Sequence, residues 1–209
     1  MDQVREFESY NEEKASVLFA RFVKNGTWQC PTLTALRAAT RTTDAGFKDD
    51  QRLKYVPKAA QASWSSALFI GMPPATQAAL KTLFEGCIRI VGRMHRAGVG
   101  IIAGTDTLNP YCFPGFSLHD ELSLLVEAGL SPMAALQAST REAARFMGQL
   151  DERGTIEAGK VADLVLLDRD PLADIHNTRS IRAVVLGGKV MGRSELDAML
   201  AEAEAVAAK

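Results

Sequence analysis

Gly98-Val99-Gly100-Ile101-Ile102-Ala103-Gly104-Thr105-Asp106 reads as a short strand of a parallel sheet that ends in a polar corner. β-Branched Val99, Ile101 and Ile102 stand among small residues without polar alternation, which is the pattern of a strand buried on both faces. A carboxylate just past the carboxyl end of such a strand lies where α/β folds place their chemistry. Asp106 is therefore the first candidate site residue. An aspartate at this point also serves as an ordinary turn cap.

On the amino side, Ala75 to Arg96 predicts the clearest helix. Leu80, Leu83, Phe84, Cys87, Ile88, Val91 and Met94 recur at spacings of three and four. Arg93, His95 and Arg96 occupy its last turn, where cations suit the helix dipole, and Gly98 closes it. Helix, glycine turn, buried strand and polar tip make one αβ step of a parallel α/β fold. Further back, Ser9-Tyr10-Asn11-Glu12 reads as a capping box. The helix it opens carries Ala15, Leu18, Phe19 and Phe22 on one face and ends at Gly26. Thr27 to Thr34 predicts a strand, with Pro31 at an end or bulge, and a helix follows from Leu33 to Ala39. Residues 40 to 57 read as a loop. A short helix near 58 to 70, flanked by Trp64 and Phe69, precedes the break at Gly71-Met72-Pro73-Pro74.

On the carboxyl side, residues 108 to 116 hold two prolines and the aromatics Tyr111, Phe113 and Phe116. Such a loop either walls a pocket or packs on its own aromatics. Ser117 to Ala128 predicts a helix with Leu118, Leu122, Leu125 and Val126 inward. His119 fits a hydrogen-bonded histidine better than a metal ligand, and Glu121, two residues on, does not share its face. Ser131-Pro132 caps the next helix, whose apolar residues are Met133, Leu136, Ala143 and Phe146 before Gly148. Val161 to Leu167, Ile181 to Leu186 and Lys189 to Met191 predict strands, the last two joined by a Gly187-Gly188 hairpin. Ser194 opens a terminal helix. These readings divide the chain into an αβ portion (1–150), a small β unit (151–193) and the terminal helix (194–209).

The chain has 209 residues, 47% hydrophobic and 23% charged, which is enough for one substantial core. A net charge of −1 gives no basic excess for nucleic acid or an anionic membrane surface. No apolar run spans a bilayer, and the start from Met1 and Asp2 to Glu6 lacks a signal pattern, so a cytoplasmic location is expected. Cys30, Cys87 and Cys112 match no metal or redox spacing and are expected as free thiols.

The order of motifs closely resembles the C-terminal part of the metal-dependent amidohydrolase superfamily, in its imidazolonepropionase and prolidase-like branch. The resemblance runs through Gly104-Thr105-Asp106, Leu118-His119-Asp120-Glu121-Leu122 and Glu127-Ala128-Gly129-Leu130-Ser131-Pro132. It continues through Ala138-Ser139-Thr140, Gly154 to Asp168, and Val184-Val185-Leu186-Gly187-Gly188-Lys189. Gly26 to Leu33 is similar to the seventh-strand region of such proteins. The resemblance implies an α/β fold: the C-terminal portion of a (β/α)8 TIM-like barrel, with about two barrel strands plus helices, followed by a small β unit of a composite domain. It also implies that Asp106 ligates a divalent metal, zinc first, and takes a proton from metal-activated water in the hydrolysis of a carbon–nitrogen bond of a small-molecule substrate. The family's early His-x-His pair, mid-barrel lysine or glutamate and two later histidines have no counterparts here, since the chain has only His95, His119 and His176. A catalytic zinc takes three protein ligands plus water. The expectation is thus a chain inactive alone, completed by a missing N-terminal half or prone to self-association. The alternative is a non-catalytic remnant or interaction module.

Overall fold

Two parallel strand stubs lie at the centre of the larger body. The computed structural model describes residues 9–41, 49–65, 73–107 and 109–209. In it β1 (Trp28–Gln29) pairs with β2 (Gly100–Ile101), Trp28 opposite Gly100 and Gln29 opposite Ile101. The contact continues past the strands. The Ile102 N–H donates to the Gln29 carbonyl at 3.0 Å, and the Ala103 N–H to the Ala138 carbonyl at 3.1 Å. The expected strands are longer than the observed ones. Pro31 has no N–H to give a ladder, and Thr32 turns left-handed to start a helix, so β1 stops early and β2 loses its partner. The start of the chain, residues 42–48, Phe69, Gly71, Met72 and Leu108 lie outside the described residues.

Helices surround this pair: α1 (Glu12–Asn25), α2 (Leu33–Thr40), α3 (Lys58–Ser65), α4 (Pro74–Arg96), α5 (Phe116–Glu127), α6 (Pro132–Ser139) and α7 (Arg141–Phe146). The cap of α1 is Asn11, not Ser9. Its side chain accepts the Lys14 N–H at 2.9 Å, and asparagine closes the first turn at least as well as serine. Gly26 ends α1 at φ 62° as expected. Ser131 caps α6 by accepting the Ala134 N–H. Ile88, Val91, Met94, Ile101, Leu122, Leu125 and Leu130 form one buried cluster with Leu33 of α2. Gly92 brings α4 onto the end of α5, since a Cβ there would lie 1.9 Å from the Ala128 carbonyl oxygen. Leu118, expected inward, is exposed, as are Met133 and Phe146 of the apolar residues read in the next helix. All three sit in terminal turns, and Phe146 packs edge-on against Trp28, ring centroids 6.2 Å apart.

The carboxyl-terminal part forms an antiparallel sheet, β3 (Leu164–Leu167), β4 (Ile181–Leu186) and β5 (Lys189–Gly192), in that order. Gly187 and Gly188, at φ 56° and 83°, supply the two left-handed positions of the hairpin. The terminal helix α8 (Arg193–Ala207) starts at Gly192 rather than Ser194. It packs on β4, on β5 and on the 3-10 turn Gln51–Tyr55. The architecture is mixed α/β. No helix among the described residues is long and apolar enough to cross a membrane.

Candidate active site

Just past the ends of β1 and β2 the chain carries two left-handed non-glycine residues that line one cavity. Thr32 has φ 44° and Asp106 φ 47°. Aspartate tolerates this region, but for a β-branched threonine it is a true outlier, and such strain clusters at functional sites. Both residues line one cavity of about 440 Å³, together with Pro31, Leu36, Leu83 and Asn109. Asp106 is exposed there. Its carbonyl accepts the Asn109 backbone N–H and the Asn109 side-chain amide, each at 3.1 Å, which folds the loop after β2 back on itself.

Directly behind this tip the backbone is packed without clearance. A Cβ on Gly104 would lie 2.4 Å from the Cys30 Sγ and 3.1 Å from the Thr32 Cγ2. Glu121 of α5 lies inside, with none of its surface exposed. Its Oε1 accepts the Leu33 N–H at 3.1 Å and its Oε2 the Thr34 N–H at 2.7 Å. A side chain 87 residues away thus fills the role that Thr32 leaves vacant, for Thr32 makes no side-chain cap to α2. Burial pushes the Glu121 carboxyl up to about 7, against the two backbone donors and Arg37, while Asp106 adds to the rise. Burial also raises the Cys30 thiol, with Glu121 and Asp106 reinforcing it, and pushes Cys112 up to about 11. These thiols are protonated at neutral pH and are not activated nucleophiles.

Next to Glu121, Asp120 gathers three guanidiniums. Arg52 and Arg37 reach its Oδ2 at 2.7 and 3.1 Å, and Arg179 reaches its Oδ1 at 2.6 Å. Arg52 also pairs with Asp50. His119, as expected, is a hydrogen-bonded histidine: its Nδ1 lies 3.0 Å from the Thr178 Oγ1. That hydroxyl donates to the Ile175 carbonyl, so Nδ1 carries the hydrogen. Burial and Arg179 lower the His119 pKa, and Asp120 partly offsets them. A larger cavity, about 730 Å³, lies beside these groups, between α5, β4 and α8, and does not include Asp106. Its arginines Arg52, Arg179 and Arg193 are engaged by Asp120, Asp50 and Asp197. The strained tip is therefore the better candidate for chemistry.

The aromatic loop follows both expectations. Tyr111 and Phe113 pack on each other and on Trp64, with ring centroids 5.4 to 6.3 Å apart, while Asn109 and Pro110 wall the Asp106 cavity. The three cysteines are free. His95, His119 and His176 are separate, His176 pairing with Asp174 at 2.8 Å. Among the described residues no group of three or more His, Cys, Asp or Glu could hold a metal. The described residues therefore do not by themselves fit a metal centre. Sequence reading missed Glu121. The signal was its place with Ser117, Leu124, Leu125 and Ala128 on the buried stripe of α5.

A sequence profile of the amidohydrolase family matches residues 31–191. The chain belongs to that family. The chain is 37% identical over 114 residues to an imidazolonepropionase of Aromatoleum aromaticum, covering 50% of this chain and 26% of that protein. It is 32% identical over 148 residues to an imidazolonepropionase of Rhizobium meliloti, covering 68% of this chain and 34% of that one. The solved structure of a bottromycin amidohydrolase superposes with a TM-score of 0.72 at 26% identity, covering 87% of this amidohydrolase chain and 40% of that protein. The chain thus spans about a quarter to a third of the curated relatives it matches.

Proposed function

We propose that this chain is the C-terminal part of a hydrolase that cleaves a carbon–nitrogen bond of a small molecule, with Asp106 as its acting carboxylate. One observation carries the reading: Asp106, in a left-handed conformation five residues past the end of parallel strand β2, lines a cavity beside the strained Thr32, within a chain of the amidohydrolase family. An exposed carboxylate at that point can accept the proton of an attacking water and return it to the leaving nitrogen. In this reading β1 and β2 are two strands of a larger barrel, and β3 to β5 belong to a small β domain beside it. A divalent metal, zinc first, requires ligands from outside this chain, with Asp106 contributing one oxygen.

The reading is tested in the complete enzyme that includes this chain. Asp106→Asn keeps shape and removes the base. Turnover is expected to fall by about 10²–10⁴-fold with the fold intact by circular dichroism. Unchanged turnover removes Asp106 from the reaction.

A further inference from the structure

We infer that Glu121 is a positioning residue: its buried carboxyl group, clamped on the Leu33 and Thr34 amides, holds the strained Thr32 turn against Gly104 and thereby fixes the strand tip that carries Asp106. The inference rests on the reading of Asp106 as the acting carboxylate. Each link is a contact. Glu121 binds the first two amides of α2, which leave the helix without a partner of their own. Thr32 immediately precedes them in a left-handed conformation that its β-branched side chain disfavours, and such a conformation persists only where its surroundings over-determine it. The Thr32 methyl and the Cys30 sulfur lie against the backbone of Gly104, with no room for even one added carbon. Two residues further on comes the second non-glycine residue with a left-handed backbone, Asp106. Full burial of Glu121 inside the core, with both oxygens used, makes this clamp rigid.

An ordinary helix cap would serve α2 alone. A positioning role reaches across to the segment that follows β2, so the readout is placed there. The full 209-residue chain is labelled with ¹⁵N, and its amide shifts and exchange rates are compared for wild type, Glu121→Gln and Ser131→Ala. The glutamine variant opposes an NH₂ group to the backbone donors. It is expected to shift the Gly104 and Asn109 amides and to speed Asn109 exchange roughly fivefold, the population change that loss of a cap produces. Ser131→Ala removes a cap elsewhere and is expected to leave both signals in place. A second variant relieves the strain itself. Asparagine accepts the left-handed region, so Thr32→Asn added to Glu121→Gln is expected to return the Gly104 and Asn109 signals toward wild type, or to restore cooperative folding if the single variant is unfolded. Changes confined to Leu33, Thr34 and α2, or a double variant no better than Glu121→Gln, overturn the inference. The measurement needs neither metal nor substrate. Its failure leaves the amidohydrolase reading standing, and failure of Asp106→Asn to affect turnover leaves the clamp standing.

Discussion

Glu121 and Asp106 are two carboxylates treated in opposite ways by their surroundings. Asp106 is exposed at a cavity, whereas Glu121 has no contact with solvent and a carboxyl raised to about 7. A carboxyl raised above its unfolded value binds its proton more tightly in the folded state. Its contribution to stability is then complete below the unfolded value near 4.5 and is lost as pH rises through about 7. His119 has the opposite slope: its lowered value favours the neutral ring, a contribution present above about 6.5 and lost on acidification. The prediction is therefore a difference. Melting temperature of wild type relative to Glu121→Gln is expected to fall between pH 5 and pH 8, and a flat difference contradicts the assignment. At this scale the sequence was partly legible. Asp106 could be placed by the apolar run before it and the polar corner at its end. For Glu121 the apolar stripe of α5 signalled burial but not its partners, which are backbone amides brought to it only by the tertiary fold.

At the scale of elements, helix positions and the β4–β5 hairpin follow the sequence closely, whereas the parallel strands and β3 are shorter than expected. The stripe of α4 and the caps at Gly26 and Ser131 are local signals, and local signals survive folding. Strands depend on neighbours, and β1 and β2 form only where each finds the other. Asp120 ties four elements together, joining α2, the turn Gln51–Tyr55 and the turn Ile175–Arg179 to α5 through Arg37, Arg52 and Arg179. Its carboxylate is nearly buried, so removing it takes the ion-pair partner from Arg37 and Arg179 and leaves Arg52 with Asp50 alone. Asp120→Ala is expected to cost about 3 kcal/mol in urea unfolding, the range for breaking a buried pair. A loss within a few tenths of a kcal/mol means that solvent screens the cluster. Ser131→Ala, by comparison, is expected to cost about 1 kcal/mol.

At the scale of the whole molecule, apolar surface remains uncovered. Leu166 and Val190 are 55% and 64% exposed, and they share one face of the small sheet with Leu164 and Val185. Val184, on the other face, lines the cavity beside α8. Exposed apolar faces and strand edges favour association. The chain alone is expected to self-associate in light scattering, and Leu166→Lys with Val190→Lys to reduce it. A monodisperse, cooperatively melting wild-type monomer contradicts that expectation. The proposed role of this chain as the C-terminal part of a hydrolase is tested most directly by mixing. The chain and an N-terminal amidohydrolase half are assayed separately and together for bound zinc and for cleavage of dipeptides, N-acyl amino acids and cyclic amides. Metal binding and cleavage that arise only on mixing, with cleavage lost in Asp106→Asn, are the predicted result. Cleavage by the chain alone, or cleavage in the mixture that survives Asp106→Asn, contradicts it.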